Sequence, residues 1–231
     1  MIASLYATTT EPWPLRPGDV HVWRFANRQD PGRLAGRLPE DEQLIGRRFI
    51  AAAHRDRYIV QRAIIRSLLA RYVDADPWQL RFARGPHGKP RLVGVAIGDL
   101  ELNLSHADDL GLLAVARGIG VGVDLERLDT NLDVRAIGRV VLARDEVAIG
   151  WDRRGLLRIW CRKEACLKAT GLGLVDDLTA ISVVADRAEI HGSVVYLQDL
   201  AISPSHIAAL ATTVTCAQVA AVELETYQIT T

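Results

Sequence analysis

Apolar residues recur three and four apart through Glu40–Tyr72: Leu44, Ile45 and Phe49, then Ile64, Ile65, Leu68 and Leu69. That period belongs to a helix, and the length of the run predicts two in succession with a joint near His54. The pattern then shortens. Gln79–Ala83 and Leu100–Leu104 read as strands on either side of the loop Gly85-Pro86-His87-Gly88-Lys89-Pro90. Leu112–Ala116 and Val121–Glu126 form a further strand pair with its turn near Gly118. Helical spacing returns from Leu132 through Glu146, and more strongly from Leu156 to Thr170, where Gly171 signals a C-cap. Beyond it, Ala180–Val184, Val194–Leu197, His206–Thr212 and Ala217–Leu224 are apolar, β-branched runs bounded by Asp, Gly, Ser and Pro. Helices followed by strands thus occur twice, before Gly118 and after Val121, which predicts an α+β fold of two comparable halves.

Composition narrows the function classes. A 231-residue chain that is 49% hydrophobic buries a proper core, which excludes disorder. Its 28 basic and 28 acidic residues cancel, so no global field draws it onto nucleic acid or an anionic membrane. The amino-terminal stretch has no basic flank, and no apolar run reaches membrane-spanning length. A cytoplasmic protein is expected. Cys161, Cys166 and Cys216 make an odd number without metal-site spacing, which predicts reduced, mostly buried thiols.

Asp124 and Glu126 in GVDLER stand two apart on a predicted strand, so their side chains leave one face and can converge on a cation. Hard oxygen ligands suit magnesium, which commonly shares one or two carboxylates with a substrate phosphate. The same spacing also suits the solvated face of an amphipathic strand. In WCRKEACLKATG, Trp160, Glu164 and Lys168 follow at four-residue steps on one helix stripe. Glu164 can serve as metal ligand, general base or both, or form an ordinary helix pair with Lys168. Ser105 and His106 fall just past a predicted strand end, where hydroxyl and imidazole can contact phosphate. No GxSxG elbow surrounds Ser105, which disfavours hydrolase chemistry there. The Gly/Pro loop presents Lys89 and His87, and Glu40–Tyr72 holds seven arginines against four acids. Arg47, Arg48, Arg55, Arg57 and Arg62 among them are candidates to grip an anion.

The order of these elements is more specific than any one of them: Gly88-Lys89-Pro90, then Asn103-Leu104-Ser105-His106, then GVDLER, then WCRKEACLKATGLGL. That succession resembles the phosphopantetheinyl transferases of the surfactin-synthetase-activating, pseudodimeric class, from Arg47 to Val184. The resemblance implies transfer of the 4'-phosphopantetheine moiety of coenzyme A to a serine hydroxyl of an apo acyl or peptidyl carrier protein, releasing adenosine 3',5'-bisphosphate. It implies that Asp124, Glu126 and Glu164 bind Mg2+, that Glu164 deprotonates the carrier serine, and that Lys168 neutralises charge on the phosphoryl group. Lys89, Pro90, Ser105, His106, Arg48 and Arg57 would then contact the coenzyme. The implied fold is two similar helix-plus-antiparallel-sheet halves, 1–118 and 119–231, related by a pseudo-twofold, with the active site in the cleft between them and the chain a monomer.

Two departures from the family stand out. Glu42 and Ile45 occupy positions where lysines precede the Arg47-Arg48-Phe49 element, and Leu125 is neither acid nor amide, which leaves the third metal ligand to Glu164 or water. The competing readings are a magnesium-dependent nucleotide phosphohydrolase using the same carboxylates, and a module that only binds nucleotide or nucleic acid. Asn131–Glu146 is the candidate carrier-docking segment, because Val134, Ile137, Val140, Val141 and Leu142 offer more apolar surface than one short helix buries. Asp124 is expected to be an exposed strand carboxylate whose removal leaves the fold intact.

Overall fold

The central strands Leu110–Arg117 and His206–Thr212 are apolar on both faces, because two sheets pack on each other and each carries a long helix outside. The computed structural model describes residues 3–4, 14–26, 29–85, 87–94, 98–128, 133–173, 177–215 and 218–224. Pro86, Asn131, Leu132, Cys216 and Ala217 lie outside the described residues. In chain order the elements are β1 (Ala3–Ser4), β2 (Asp19–Ala26), α1 (Pro31–Ala35), α2 (Glu40–Arg47), α3 (Ala52–Val73), β3 (Arg81–Arg84), β4 (Pro90–Val93), β5 (Leu100–Ala107) and β6 (Leu110–Arg117). There follow β7 (Val121–Arg127), α4 (Val134–Val141), α5 (Arg144–Ala148), α6 (Arg153–Thr170), β8 (Arg187–Ile190), β9 (Ser193–Leu200), β10 (His206–Thr212) and β11 (Gln218–Leu224).

One sheet has the order β1-β11-β2-β6-β5 and the other β7-β10-β9-β8, with β3 and β4 as a separate hairpin. The architecture is α+β, as expected, but the first sheet is mixed: β11 runs parallel to β2, and β1 parallel to β11. The last strand therefore returns to the sheet of the first part of the chain. Val20 and Val22 of β2, with Leu112 and Ala114 of β6, meet Val121, Val123 and Leu125 of β7 and Leu210 of β10 between the sheets. The alternate residues Trp23 and Phe25, with Leu113 and Val115, pack under Ile64, Ile65, Leu68 and Leu69 of α3. Ala209 and Ala211 of β10 likewise lie under Cys161, Ala165 and Cys166 of α6. Burial on both faces erases the period-two signal that marks a strand, which is why β2 escapes the hydrophobic pattern.

Several expected elements are corrected. The helical run from Glu40 breaks at Arg48–Ala51 rather than at His54, where Ala51 turns extended. The helix expected through Glu146 is two short ones, because Leu142 and Ala143 are extended. Ala180–Val184 is not a strand. It is tied instead to a side chain, with the Val183 N–H donating to Glu146 Oε1 at 2.9 Å. Glu146 also accepts from the Ala143 N–H and pairs with the fully buried Lys163 at 2.7 Å. A carboxylate that satisfies two loop amides and one ammonium removes the need for a ladder.

Glu42 has a structural reason for replacing a lysine. It is buried between Arg62 and Arg66, with the Arg66 Nε donating at 2.8 Å and Arg62 on the same carboxylate. Arg62 is thereby taken out of the set of candidate anion ligands, and Arg55 pairs with Asp56.

At the other end of α3, the Tyr72 hydroxyl accepts from Trp23 Nε1 at 2.7 Å and lies 2.8 Å from His21 Nδ1. Burial holds the His21 pKa below the ordinary 6.5, with Asp19 opposing. The sign follows: an unfolded chain takes up this proton before the folded one does, so the contribution is complete above pH 6.5 and is lost as pH falls. The melting temperature of the wild type is expected to drop between pH 7 and pH 5 by more than that of His21→Gln. Parallel curves for the two proteins would show that His21 is not the group responsible.

Candidate active site

β5 and β7 are edge strands of different sheets, and side chains join them where backbone ladders do not. The Val123 N–H donates to Asn103 Oδ1 at 2.8 Å, and the Leu125 N–H to Ser105 Oγ at 3.2 Å. Ser105 and His106 lie inside β5 rather than past its end. Alternation then sends Ser105 toward β7, buried, and His106 to the exposed side.

On the face of β7 opposite the inter-sheet core, Gly122, Asp124 and Glu126 lie under α6. A Cβ at Gly122 would stand 2.0 Å from the Ala165 carbonyl oxygen and 2.4 Å from the Ala169 nitrogen. The helix backbone therefore rests directly on the strand, and its stripe of Glu164 and Lys168 falls beside the carboxylates. The Lys168 ammonium donates to Asp124 Oδ1 at 2.6 Å, and the Ser105 hydroxyl donates to the same oxygen at 3.0 Å. Asp124 is 4% exposed, not the surface carboxylate expected of an amphipathic strand. Glu126 Oε1 accepts from Trp160 Nε1 at 3.1 Å, so the indole serves Glu126 rather than Glu164.

Charge is crowded here. Burial, followed by the charge of Asp124, raises the pKa of Glu126, and the same two causes raise that of Glu164. Partial desolvation at the strand surface, then the charges of Arg57 and Lys168, lower the His106 pKa although one side of the ring stays open to solvent. A cavity of about 290 Å³ is lined by His87, Lys89, Pro90, Asn103, Glu164 and Lys168, with Leu104, Leu167 and glycines completing its wall. Lys89 reaches the Val121 carbonyl at 3.0 Å and Glu101 at 3.3 Å. Arg57 pairs loosely with Asp109 at 3.5 Å and keeps a buried Nε without a partner. Arg48 is exposed at the C-cap of α2, and among the described residues no bond joins it to this group.

Whether the carboxylates suit a divalent cation is answered by two features. Among the described residues no three His, Cys, Asp or Glu side chains gather closely enough to form a ready cage. Asp124 Oδ2, however, is buried with no hydrogen-bond partner, and a cation is the group that would satisfy it while relieving the repulsion on Glu126 and Glu164. The donor set of hard oxygens, incomplete without phosphate or water, fits magnesium.

Residues 120–218 match the family model described as the 4'-phosphopantetheinyl transferase superfamily. The chain is 35% identical over 166 residues to the 4'-phosphopantetheinyl transferase HetI of Nostoc sp., covering 68% of this chain and 70% of that one. The chain belongs to the phosphopantetheinyl transferases. A putative 4'-phosphopantetheinyl transferase of Synechocystis sp. is 31% identical over 150 residues, 62% of this chain and 61% of the relative. A phosphopantetheinyl transferase of Thraustochytrium sp. is 28% identical over 194 residues, 77% and 66% of the two chains.

Within this transferase the run Arg162-Lys163-Glu164 divides sharply. Arg162 grips Asp199 through two bonds of 2.7 and 3.0 Å, and Lys163 ties α6 to Glu146 and to the Leu178 carbonyl. Only Glu164 reaches the cavity. Asn103 and Trp160 stand within the quoted motifs without an assigned role, and the structure makes both positioning residues, for Val123 and Glu126. Asn103 was within reach, since it stands two before Ser105 and hence on the same strand face. Trp160 was not, because its partner lies 34 residues away. Cys161 and Cys166 are buried and unpaired, as expected. No helix of the described residues is long and apolar enough to cross a membrane.

Proposed function

We propose that this transferase moves the 4'-phosphopantetheine arm of coenzyme A to a serine hydroxyl of an apo acyl or peptidyl carrier protein and releases adenosine 3',5'-bisphosphate. The observation that carries the reading is the meeting of Lys168, Asp124 and Ser105 at the β5–β7 seam, beside Glu126, Glu164 and a cavity lined by Lys89. Glu164 accepts the serine proton. It is half-buried and lines the cavity beside Lys168, which places its carboxylate within reach of an incoming hydroxyl. The serine oxygen forms a bond to phosphorus as the bond to the bridging pyrophosphate oxygen breaks, and the Lys168 ammonium neutralises charge on the departing side. Lys89 and Pro90 line the coenzyme cavity, and His106 with Arg57 and Arg48 serve the nucleotide phosphates. Ser105, already committed to Asp124 and Leu125, holds the metal ligand in place from beneath. Magnesium held by Asp124, Glu126 and Glu164 would supply Lewis-acid neutralisation of the pyrophosphate.

The reading retains the pseudodimeric class, with halves 1–118 and 119–231 whose sheets are each backed by a long helix, β11 of the second half crossing to complete the first sheet, and the chain acting as a cytoplasmic monomer. The unpaired thiols agree with a reducing compartment. The carrier would dock on the exposed side of α4 and α5, where Val140, Val147 and Ile149 are 63, 56 and 65% exposed beside Arg135 and Arg139.

Intact-mass measurement of an apo carrier incubated with the protein, coenzyme A and magnesium is expected to show the gain of one phosphopantetheine. Glu164→Gln should give none, and charge reversal at Arg135 or Arg139 should raise the carrier KM in the same assay. Coenzyme A consumed without carrier modification would instead establish a phosphohydrolase.

A further inference from the structure

The two oxygens of Asp124 are used unequally. Oδ1 accepts from Lys168 at 2.6 Å and from Ser105 at 3.0 Å, whereas the buried Oδ2 accepts from nothing. Lys168 is correspondingly saturated. Besides Oδ1, its ammonium lies 3.3 Å from the Val123 carbonyl and 3.4 Å from Ser105 Oγ, three acceptors for three donors. Lys89 is held in the same manner, on the Val121 carbonyl two residues earlier on β7 and on Glu101. The two lysines that line the cavity are thus occupied by protein groups in the free molecule.

We propose that Lys168 is the resident counter-ion of Asp124: it keeps divalent-metal affinity low in the free protein, and the coenzyme pyrophosphate opens Asp124 to the metal by drawing the ammonium away. The inference rests on Asp124 being a metal ligand. Two cations on one buried carboxylate repel strongly, because little solvent intervenes to screen them. Of the two partners, the lysine is the one able to move. Its side chain is 27% exposed against 6% for Asp124, and it hangs on a flexible stem from the last turns of α6. Asp124 is pinned by Ser105, which is itself held by the Leu125 amide, so departure of the ammonium leaves the carboxylate in place. The carboxylates that remain, Asp124, Glu126 and Glu164, then lose the ammonium beside them and gain most from a divalent cation. By linkage, the metal must strengthen coenzyme binding by the same factor as the coenzyme strengthens metal binding.

The test is a titration of the full-length protein with Mn2+, followed by electron paramagnetic resonance of the free ion, with and without coenzyme A and in the absence of carrier. Lys168→Met is expected to bind Mn2+ about 10-fold more tightly than wild type when coenzyme A is absent, and to show a smaller tightening when it is added. Lys168→Arg, which keeps the charge, should remain as weak as wild type. Thermal melts of both variants confirm that the fold persists. If Asp124→Asn removes Mn2+ binding while Lys168→Met binds no better than wild type, the counter-ion role is overturned and the ligand assignment survives. If Asp124→Asn leaves Mn2+ binding unchanged in both backgrounds, Asp124 is not a ligand and both fall.

Discussion

Asp124→Asn is expected to lower the rate of carrier loading by at least about 100-fold, while the protein melts within about 4 °C of wild type. The substitution is isosteric, so an amide oxygen still accepts from Ser105 and Lys168 where the carboxylate accepted at 3.0 and 2.6 Å. What disappears is a negative charge. Its loss weakens the pairing with Lys168, and it also relieves Glu126 and Glu164, whose pKa values burial and Asp124 together hold high. Those effects oppose each other in stability but not in catalysis, where Oδ2 becomes an amide nitrogen facing the cation side. Asp124→Ala is a poorer choice. It leaves a buried hydroxyl and a lysine without their acceptor, at a cost of about 1–3 kcal/mol. A folded Asp124→Asn protein that still loads carrier at the wild-type rate would remove the proposed mechanism.

Gly122→Ala should be the more disruptive change, although it touches no charge. Replacing a strand glycine by alanine ordinarily stabilises by about 0.4–1 kcal/mol through the unfolded chain, and Gly122 is not among the positive-φ glycines that forbid a side chain. Space decides the sign here. The added carbon would lie 2.0, 2.4 and 3.0 Å from Ala165 O, Ala169 N and Lys168 C, all backbone atoms of α6. The helix has to lift, at about 1–3 kcal/mol of overpacking. Glu164 and Lys168 lift with it, and a displacement of about 1 Å at reacting groups costs on the order of 100-fold in rate. Urea denaturation and carrier loading should both report the loss. Normal values in both assays would mean that α6 does not rest on β7 as described.

The long helices were legible because they run for many turns: α6 and its glycine C-cap follow directly from residue spacing. β10 emerges with the bounds His206–Thr212 that its β-branched run suggests. The elements that escaped were those whose cause lies elsewhere in the chain. β2 lacks alternation because both of its faces are buried, and Ile181–Val183 imitates a strand because Glu146 takes the place of a neighbouring ladder. Asp124 and Glu126 share a face by the pleat alone, and Glu164 and Lys168 share a stripe by helical repeat, so both pairs were readable from spacing.

Sequence alone therefore determined which residues share a strand face or a helix stripe and the order in which those motifs come. Motif spacing is a local property, set by backbone geometry that any strand or helix obeys. Only the tertiary structure decided that Arg162 and Lys163 are spent on Asp199 and Glu146 while their neighbour Glu164 faces the cavity. It alone turned Glu42 inward between two arginines, and it alone joined Ser105 to Asp124 and Trp160 to Glu126. Those assignments depend on contacts between residues far apart in the chain. Burial makes each of them compulsory, since a charge or hydroxyl withdrawn from water must find a partner wherever the fold supplies one.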